Sequence, residues 1–228
     1  MNFYDTYILP RLINLAMQNK AARAERARFV PLASGNVLEV GIGSGLNIPF
    51  YRPDVQALYG IDPSRELLKM ARKRGAAARL PVELVEVSGE RLPMEDETFD
   101  TVVTTWTLCT IPDPLQALGE VRRVLKPEGR LIFIEHGRSP DAPVLQWQNR
   151  LNPLWRRLAG GCNLNREIDA LIRAAGLEIT RLETGYAAGP KLFAYLYRGL
   201  ARLPRDDAGL RVEPTITHIS PGSDNSGH

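Results

Sequence analysis

The stretch that decides the fold is NVLEVGIGSGLNIPF, Asn36 to Phe50. Its first part, "VLEVG" (37–41), is a short apolar run closed by glycine, the pattern of a buried parallel strand. Three glycines then alternate, Gly41, Gly43 and Gly45, and the carboxylate of Glu39 stands two residues before the first of them. A glycine turn after a strand lets backbone N–H groups approach a ligand closely. Alone, it does not say which ligand.

Outward from this stretch, strand-like and helix-like runs alternate. "ALYGID" (57–62), "VELVEV" (82–87), "FDTVVTTWT" (99–107) and "RLIFIEH" (130–136) read as strands. "RELLKMARKRGA" (65–76) reads as an amphipathic helix with Leu67, Leu68 and Met70 on its apolar side. "DPLQALGEVRRVLKPEG" (113–129) reads as a helix stopped by Pro127 and Gly129. The alternation predicts an α/β fold, a Rossmann-like doubly wound sheet. "NREIDALIRAAG" (165–176) is a further helix, and "LEITRLETG" and "KLFAYLYRGLA" read as two closing strands in a hairpin. Residues 4–29 read as mostly helical with a kink or boundary at Pro10, so that 1–34 form an N-terminal helical lid. Residues 137–164 interrupt the rhythm and are expected over the C-terminal edge of the sheet, on the substrate side. The main domain is expected to span 35–203, with a polar, mobile tail over 204–228.

The glycine spacing excludes two common ligands. A dinucleotide fingerprint is G-x-G-x-x-G, but here the third fingerprint position is Leu46. A P-loop requires Gly-Lys-Ser/Thr, and no lysine is present. Glu39 would repel phosphate and suits a bound ammonium group. Asp62 ends the second strand, 17 positions after Gly45, where a carboxylate can accept both hydroxyls of a ribose. A ligand with a ribose and an amino acid but no phosphate is S-adenosylmethionine.

On these residues the chain resembles the class I S-adenosylmethionine-dependent methyltransferases, in the ubiquinone and menaquinone branch. The resemblance covers about residues 35–136 and rests on four ordered motifs: "VLEVGIGSG", "YGIDPSREL", "VSGERLPMEDETFD" and "VRRVLKPEGRLIFIEH". It implies seven strands with the last antiparallel, S-adenosylmethionine as cofactor and S-adenosylhomocysteine as product. It implies a cofactor site of Glu39, Gly41, Gly43, Gly45, Asp62, Pro63, Ser88, Gly89 and Thr105. Ser88 departs from the family, which often places Asp there to accept from the adenine amino group. Serine still accepts such a bond, without charge.

The acceptor is less legible. "TWTLCTIPD" follows strand four and lacks the histidine that ubiquinone-type relatives often carry, which leaves His136 as the candidate base. The downstream half, "IEHGRSP" with "WQNRLNPLWRRLAGGCNLNREI" and "AAGL", is similar to the methyltransferase-like seven group, whose animal members are thiol S-methyltransferases. That resemblance implies methylation of a small thiol or sulfide. It sets Asn163 and Arg166 on the substrate side, where Thr107, Cys109 and Thr110 are expected from their place after strand four and Tyr4 and Tyr7 from the opening segment that could line an apolar entrance. N-methylation of a phospholipid head group, or C- or O-methylation of a quinone precursor, is the competing enzyme reading. A cofactor-binding module serving a partner chain is the non-enzyme one.

Composition narrows the rest. The 228 residues, 44% hydrophobic and 24% charged, suit a soluble enzyme with a sizeable core. The net charge of +3 is scattered, without the basic block interleaved with aromatics that would track nucleic acid. Cys109 and Cys162 are the only cysteines, far apart and without a C-x-x-C, so neither a zinc site nor a redox pair is expected. No signal peptide or bilayer-spanning run is evident, and the long apolar anchor of the animal thiol methyltransferases has no counterpart, so a cytoplasmic location is expected. Peripheral membrane contact through the opening segment stays open, as does oligomeric state.

Overall fold

Seven strands form one sheet in the order β3-β2-β1-β4-β5-β7-β6. The computed structural model describes residues 3–205, so the expected tail from Asp206 onward lies outside the described residues. The strands are β1 (Gly35–Val40), β2 (Val55–Ile61), β3 (Val82–Val85), β4 (Phe99–Thr105), β5 (Leu125–His136), β6 (Glu178–Tyr186) and β7 (Tyr195–Arg202). The β1–β5 pairings are parallel, whereas β7 runs antiparallel to both β5 and β6. The last strand in sequence is therefore the antiparallel one, as the family resemblance implied, and it lies between β5 and β6.

The apolar runs work because both faces of the sheet are covered. Successive residues point to opposite faces. Leu38, Val102, Leu131 and Phe133 join one buried cluster, while Val37, Val103, Ile132 and Ile134 join the other. Helices α4 (Pro114–Val124) and α6 (Ile168–Ala174) supply Leu118, Val121, Ile168 and Ile172 to the first cluster. Helices α2 (Lys20–Phe29) and α3 (Arg65–Ala76) supply Phe29 and Leu68 to the second. Strand order reverses at β1, with β2 on one side and β4 on the other. In such sheets the crevice at the C-terminal ends of these strands is where ligands lie.

Several boundaries differ from the sequence reading. The helix expected over 113–129 ends at Val124, and Leu125 already pairs with Phe99. The register then jumps from Phe99↔Leu125 to Thr101↔Arg130, and the intervening Lys-Pro-Glu-Gly makes the bulge. Pro127 has no N–H to donate to the ladder, which is why pairing lapses there. The opening helix breaks at Met17–Asn19 rather than at Pro10. Pro10 sits in the first turn of α1 (Leu9–Ala16), where no donor is required. Asn19 caps α2 through its side chain, accepting from the Ala22 N–H at 2.9 Å. The third strand stops at Val85 and the fourth at Thr105. Residues 191–194 form a helical turn closed by Phe193 N–H on the Pro190 carbonyl, so the last strand starts only at Tyr195. On α3 the third buried residue is Ala71, with Met70 half-exposed.

Residues 137–164 are dominated by α5 (Ala142–Leu158). Buried Gln148 clips this helix to the exit of β5: its Oε1 accepts from the Ser139 N–H at 3.0 Å, and its Nε2 donates to the Gly137 and Leu192 carbonyls. Among the described residues no helix is long and apolar enough to cross a membrane.

Candidate functional site

The glycine turn carries the chain from β1 through a 3-10 turn (Ile48–Phe50) to β2, without a crossover α-helix. Its glycines serve different ends. A Cβ at Gly41 would lie 2.3 Å from Thr107 Oγ1, and one at Gly45 would lie 2.8 Å from Ile48 Cδ1 and 3.1 Å from Ala71 Cα. Both therefore hold the turn against its neighbours. Gly43, at φ +55°, faces open space, since its nearest neighbour would be the Gly41 carbonyl at 4.0 Å. The turn thus has one face where a ligand can lie against bare backbone.

Asp62 is tied to that face. Its Oδ2 accepts from the Gly43 N–H at 3.0 Å and its Oδ1 from the Ser64 N–H at 2.8 Å. Each oxygen keeps acceptor capacity for one further donor. Burial pushes the carboxyl up to about 6, against the pull of these two N–H groups. Pro63, exposed, links Asp62 to Ser64, the cap of α3. Ser88 Oγ is 2.8 Å from Glu90 Oε2 and donates to it, and Glu90 Oε1 accepts from the Asp113 N–H. Gly89 lies against β1, since a Cβ there would sit 2.7 Å from Val40 Cγ1.

Glu39 has a different setting from the one its sequence position suggested. It is only 1% exposed, and both oxygens are engaged by protein: Oε1 by Asn47 Nδ2 at 2.8 Å and Oε2 by Tyr51 OH at 2.7 Å. Asn47 Nδ2 also donates to Thr105 Oγ1 at 3.0 Å, and its Oδ1 accepts from Arg26 Nε at 2.9 Å. Burial drives Glu39 up to about 8 and Arg26 down to about 10, each partly offset by the other's charge. Arg26 also donates to the Met17 carbonyl and lies over Trp106, which adopts a left-handed φ of +52° at the end of β4. Helix α2 delivers Arg26 to this point. Ion pairs of Arg28 with Glu183 (2.7 Å) and of Glu25 with Arg198 (3.3 Å) fix α2 to β6 and β7. Sequence reading missed Arg26, Asn47 and Tyr51; the requirement that a buried carboxylate have partners was the available signal.

The ends of β4 and β5 meet the loop after α5. The Thr107 N–H donates to Glu135 Oε1 at 3.1 Å, and Thr107 Oγ1 lies 3.4 Å from the Gly41 carbonyl. Burial pushes Glu135 up to about 7 despite the N–H groups of Thr107 and Leu108. His136 is buried, with Nε2 2.8 Å from Cys162 Sγ and Nδ1 without a protein partner. Burial acts to lower its pKa, but Cys162 and Glu135 carry it above the ordinary histidine value. Cys162 Sγ lies 3.8 Å from Cys109 Sγ, and that contact, then burial, pushes the Cys162 thiol far up. The expectation that the two cysteines stay apart is therefore corrected. They are 53 positions apart in sequence, but the β4 exit and the loop after α5 fold onto each other.

The other residues expected on the substrate side make contacts within the protein. Asn163 donates to the Cys109 carbonyl through both its backbone N–H (2.8 Å) and Nδ2 (3.0 Å). Arg166 Nη1 donates to the carbonyls of Leu108 and Ile111. Thr110 Oγ1 is 3.5 Å from Cys109 Sγ. Tyr4 OH donates to the Leu158 carbonyl at 2.9 Å, joining the opening segment to the end of α5, whereas Tyr7 is exposed.

Comparison with known proteins agrees with this geometry. Residues 38–133 match the family described as a methyltransferase domain. The chain is 38% identical over 151 residues to thiol S-methyltransferase TMT1B of Rattus norvegicus, covering 64% of this chain and 62% of that protein. It is 36% identical over 128 residues to phosphatidylethanolamine N-methyltransferase of Cereibacter sphaeroides, covering 55% of this chain and 63% of the relative. The matches thus span about three fifths of the length of these relatives. A SAM-dependent methyltransferase of Thermotoga maritima shares the fold at a TM-score of 0.62 and 22% identity, covering 87% of this chain and 99% of the other.

Proposed function

We propose that this chain, which belongs to the S-adenosylmethionine-dependent methyltransferases, transfers a methyl group to a small thiol or sulfide. The cofactor is S-adenosylmethionine, which brings an activated sulfonium methyl when bound. Gly43 gives its amino-acid portion access to bare backbone, and Asp62 has one acceptor position on each oxygen for the ribose hydroxyls. Ser88 Oγ and the backbone of Gly89 are assigned to the adenine edge. We assign Glu39 to holding the turn closed through Asn47 and Tyr51 rather than to direct charge contact.

The observation that carries the thiol reading is that the titratable groups gathered at the acceptor edge are enclosed: Glu135 is fully buried and His136 nearly so. His136 Nε2 lies against Cys162 Sγ, and Glu135 Oε1 accepts from the Thr107 N–H. A phenol or carbon acid requires a free base to remove its proton, whereas a thiol of pKa about 8.5 is partly ionised near neutral pH. What the protein must supply is position, with the acceptor atom about 3 Å from the methyl. The likeness to the rat thiol methyltransferase, over 151 residues, is also longer than the stretch 38–133 that matches the family.

A second reading, methylation of a lipid amine, draws on exposed apolar groups. Phe3, Leu12 and Leu15 of the opening segment and Trp147, Leu154 and Leu158 of α5 are all more than half exposed or close to it. The experiment is a turnover panel with purified protein, S-adenosylmethionine, small thiols, hydrogen sulfide, phosphatidylethanolamine vesicles and a quinol. Methylated thiol with equimolar S-adenosylhomocysteine is the expected result, and it also excludes a non-catalytic binding module. No turnover on any thiol, together with turnover on lipid or quinol, would refute the thiol acceptor.

A further inference from the structure

Three soft ligands from three separate segments converge at the acceptor edge. Cys109 comes from the β4 exit, His136 from the end of β5, and Cys162 from the loop after α5. One ligand atom from each lies within 4.8 Å of the others. We propose that Cys109, His136 and Cys162 form a Zn(II)-type metal site whose fourth coordination position receives the sulfur of the acceptor.

The distances suit this. Tetrahedral zinc with Zn–S near 2.3 Å separates two thiolate sulfurs by about 3.8 Å. The Cys109–Cys162 sulfurs are 3.8 Å apart. His136 Nε2, at 2.8 Å from Cys162 Sγ, has to withdraw by somewhat under about 1 Å to reach the N···S edge of such a site. Among the described residues no hydrogen bond at the buried Nδ1 opposes that shift. The frame is set by bonds that do not involve sulfur. Asn163 holds the Cys109 carbonyl with two donors, and Arg166 holds the carbonyls of Leu108 and Ile111. A two-thiolate, one-imidazole set leaves one tetrahedral position open, as in catalytic rather than structural zinc sites.

Metal entry releases two protons, one from each cysteine thiol, and uses His136 as the neutral imidazole. An incoming thiol bound at the open position loses a third proton to solvent, and its sulfur is held as a thiolate. This supplies acceptor ionisation where Glu135 is fully buried and His136 holds the metal. The site is one side chain from the glycine turn: the Thr110 N–H bonds the Thr107 carbonyl at 2.8 Å, and Thr107 Oγ1 reaches Gly41. The role in the reaction rests on the thiol reading above; the metal site itself does not.

The test uses full-length protein, reduced and stripped with a chelator, then titrated with Co(II) and Zn(II). One metal per chain is expected, with sulfur-to-cobalt charge-transfer absorption and the d–d bands of tetrahedral cobalt, altered on adding a small thiol. Cys162→Ser should weaken uptake by at least about a hundredfold and remove charge-transfer intensity. Cys109→Ser should do the same. S-adenosylhomocysteine titration and thermal melts report whether each variant folds, and the more exposed Cys162 carries the test if Cys109→Ser does not. No stoichiometric uptake by the reduced protein would overturn the proposal, as would a cobalt spectrum unmoved by Cys162→Ser, or a Cys109–Cys162 disulfide with no metal binding after reduction. Thiol turnover by metal-free protein would also overturn it while leaving the thiol reading intact. Metal uptake without thiol turnover would uphold the site and refute that reading.

Discussion

Glu39 is a buried carboxyl, held by an amide and a phenol and facing Arg26 across Asn47. Its folded pKa, about 8, lies above the unfolded value of 4.5, so its contribution to stability is full below 4.5 and is lost as pH rises through 8. Asp62, raised to about 6, and Glu135, raised to about 7, act with the same sign. The ligand-free protein should therefore melt at progressively lower temperature between about pH 5 and 8. Glu39→Gln keeps an acceptor for Asn47 and offers Tyr51 an amide N–H in place of the carboxylate that now accepts from its hydroxyl, and calorimetry should show a flatter profile for it; an unchanged slope would contradict the assignment. The two inner glycines separate fold from function. Gly45→Ala, with Ala71 and Ile48 in the way at φ +79°, should cost on the order of 1–3 kcal/mol of stability by denaturant melts. Gly43→Ala carries only the strain of its φ of +55°, roughly 1 kcal/mol, and should lose cofactor affinity by a larger factor than stability. Equal losses of stability in both variants would count against an open ligand face at Gly43.

At the scale of elements, α2 is the piece that the sheet alone does not explain. Glu25, Arg26 and Arg28 project from one helix into three different partners on β7, the glycine turn and β6. Removing Arg26 as Arg26→Ala leaves Asn47 Oδ1 and the Met17 carbonyl short of a donor, at a cost of about 1–3 kcal/mol. The same variant should weaken S-adenosylhomocysteine binding measured by calorimetry, because Asn47 orients both Glu39 and Thr105. Intact affinity would mean that α2 merely covers the turn. None of this was legible in "NKAARAERARF", which reads as helix former and nothing more. Helical periodicity tells which face is apolar, but not which distant loop a charged side chain enters. The same limit hid the cysteine cluster. Spacing rules for metal sites look within a short motif, and here the ligands reach one point only because β4 and β5 are adjacent in the sheet.

For the whole molecule, the order of strands follows from patterns that sequence does carry. Apolar runs closed by glycine at Gly41 and by acid at Asp62 define β1, β2 and the crevice between β1 and β4. Their ends were less legible, because Pro127 interrupts pairing and Pro190 opens a helical turn, and both depend on neighbouring strands. The proposed donor side was open to reading because backbone conformation and a carboxylate at a fixed spacing carry it. The acceptor side was not, because it is assembled from segments that meet only in three dimensions. The most direct test of the account is calorimetric titration of S-adenosylhomocysteine into the wild-type protein and Asp62→Ala, with NAD as competitor. One ligand per chain, no competition by NAD, and at least a tenfold loss of affinity in Asp62→Ala, worth about 1.4 kcal/mol, are the expected results. Affinity unchanged by Asp62→Ala, or displacement by NAD, would contradict the reading of the glycine turn.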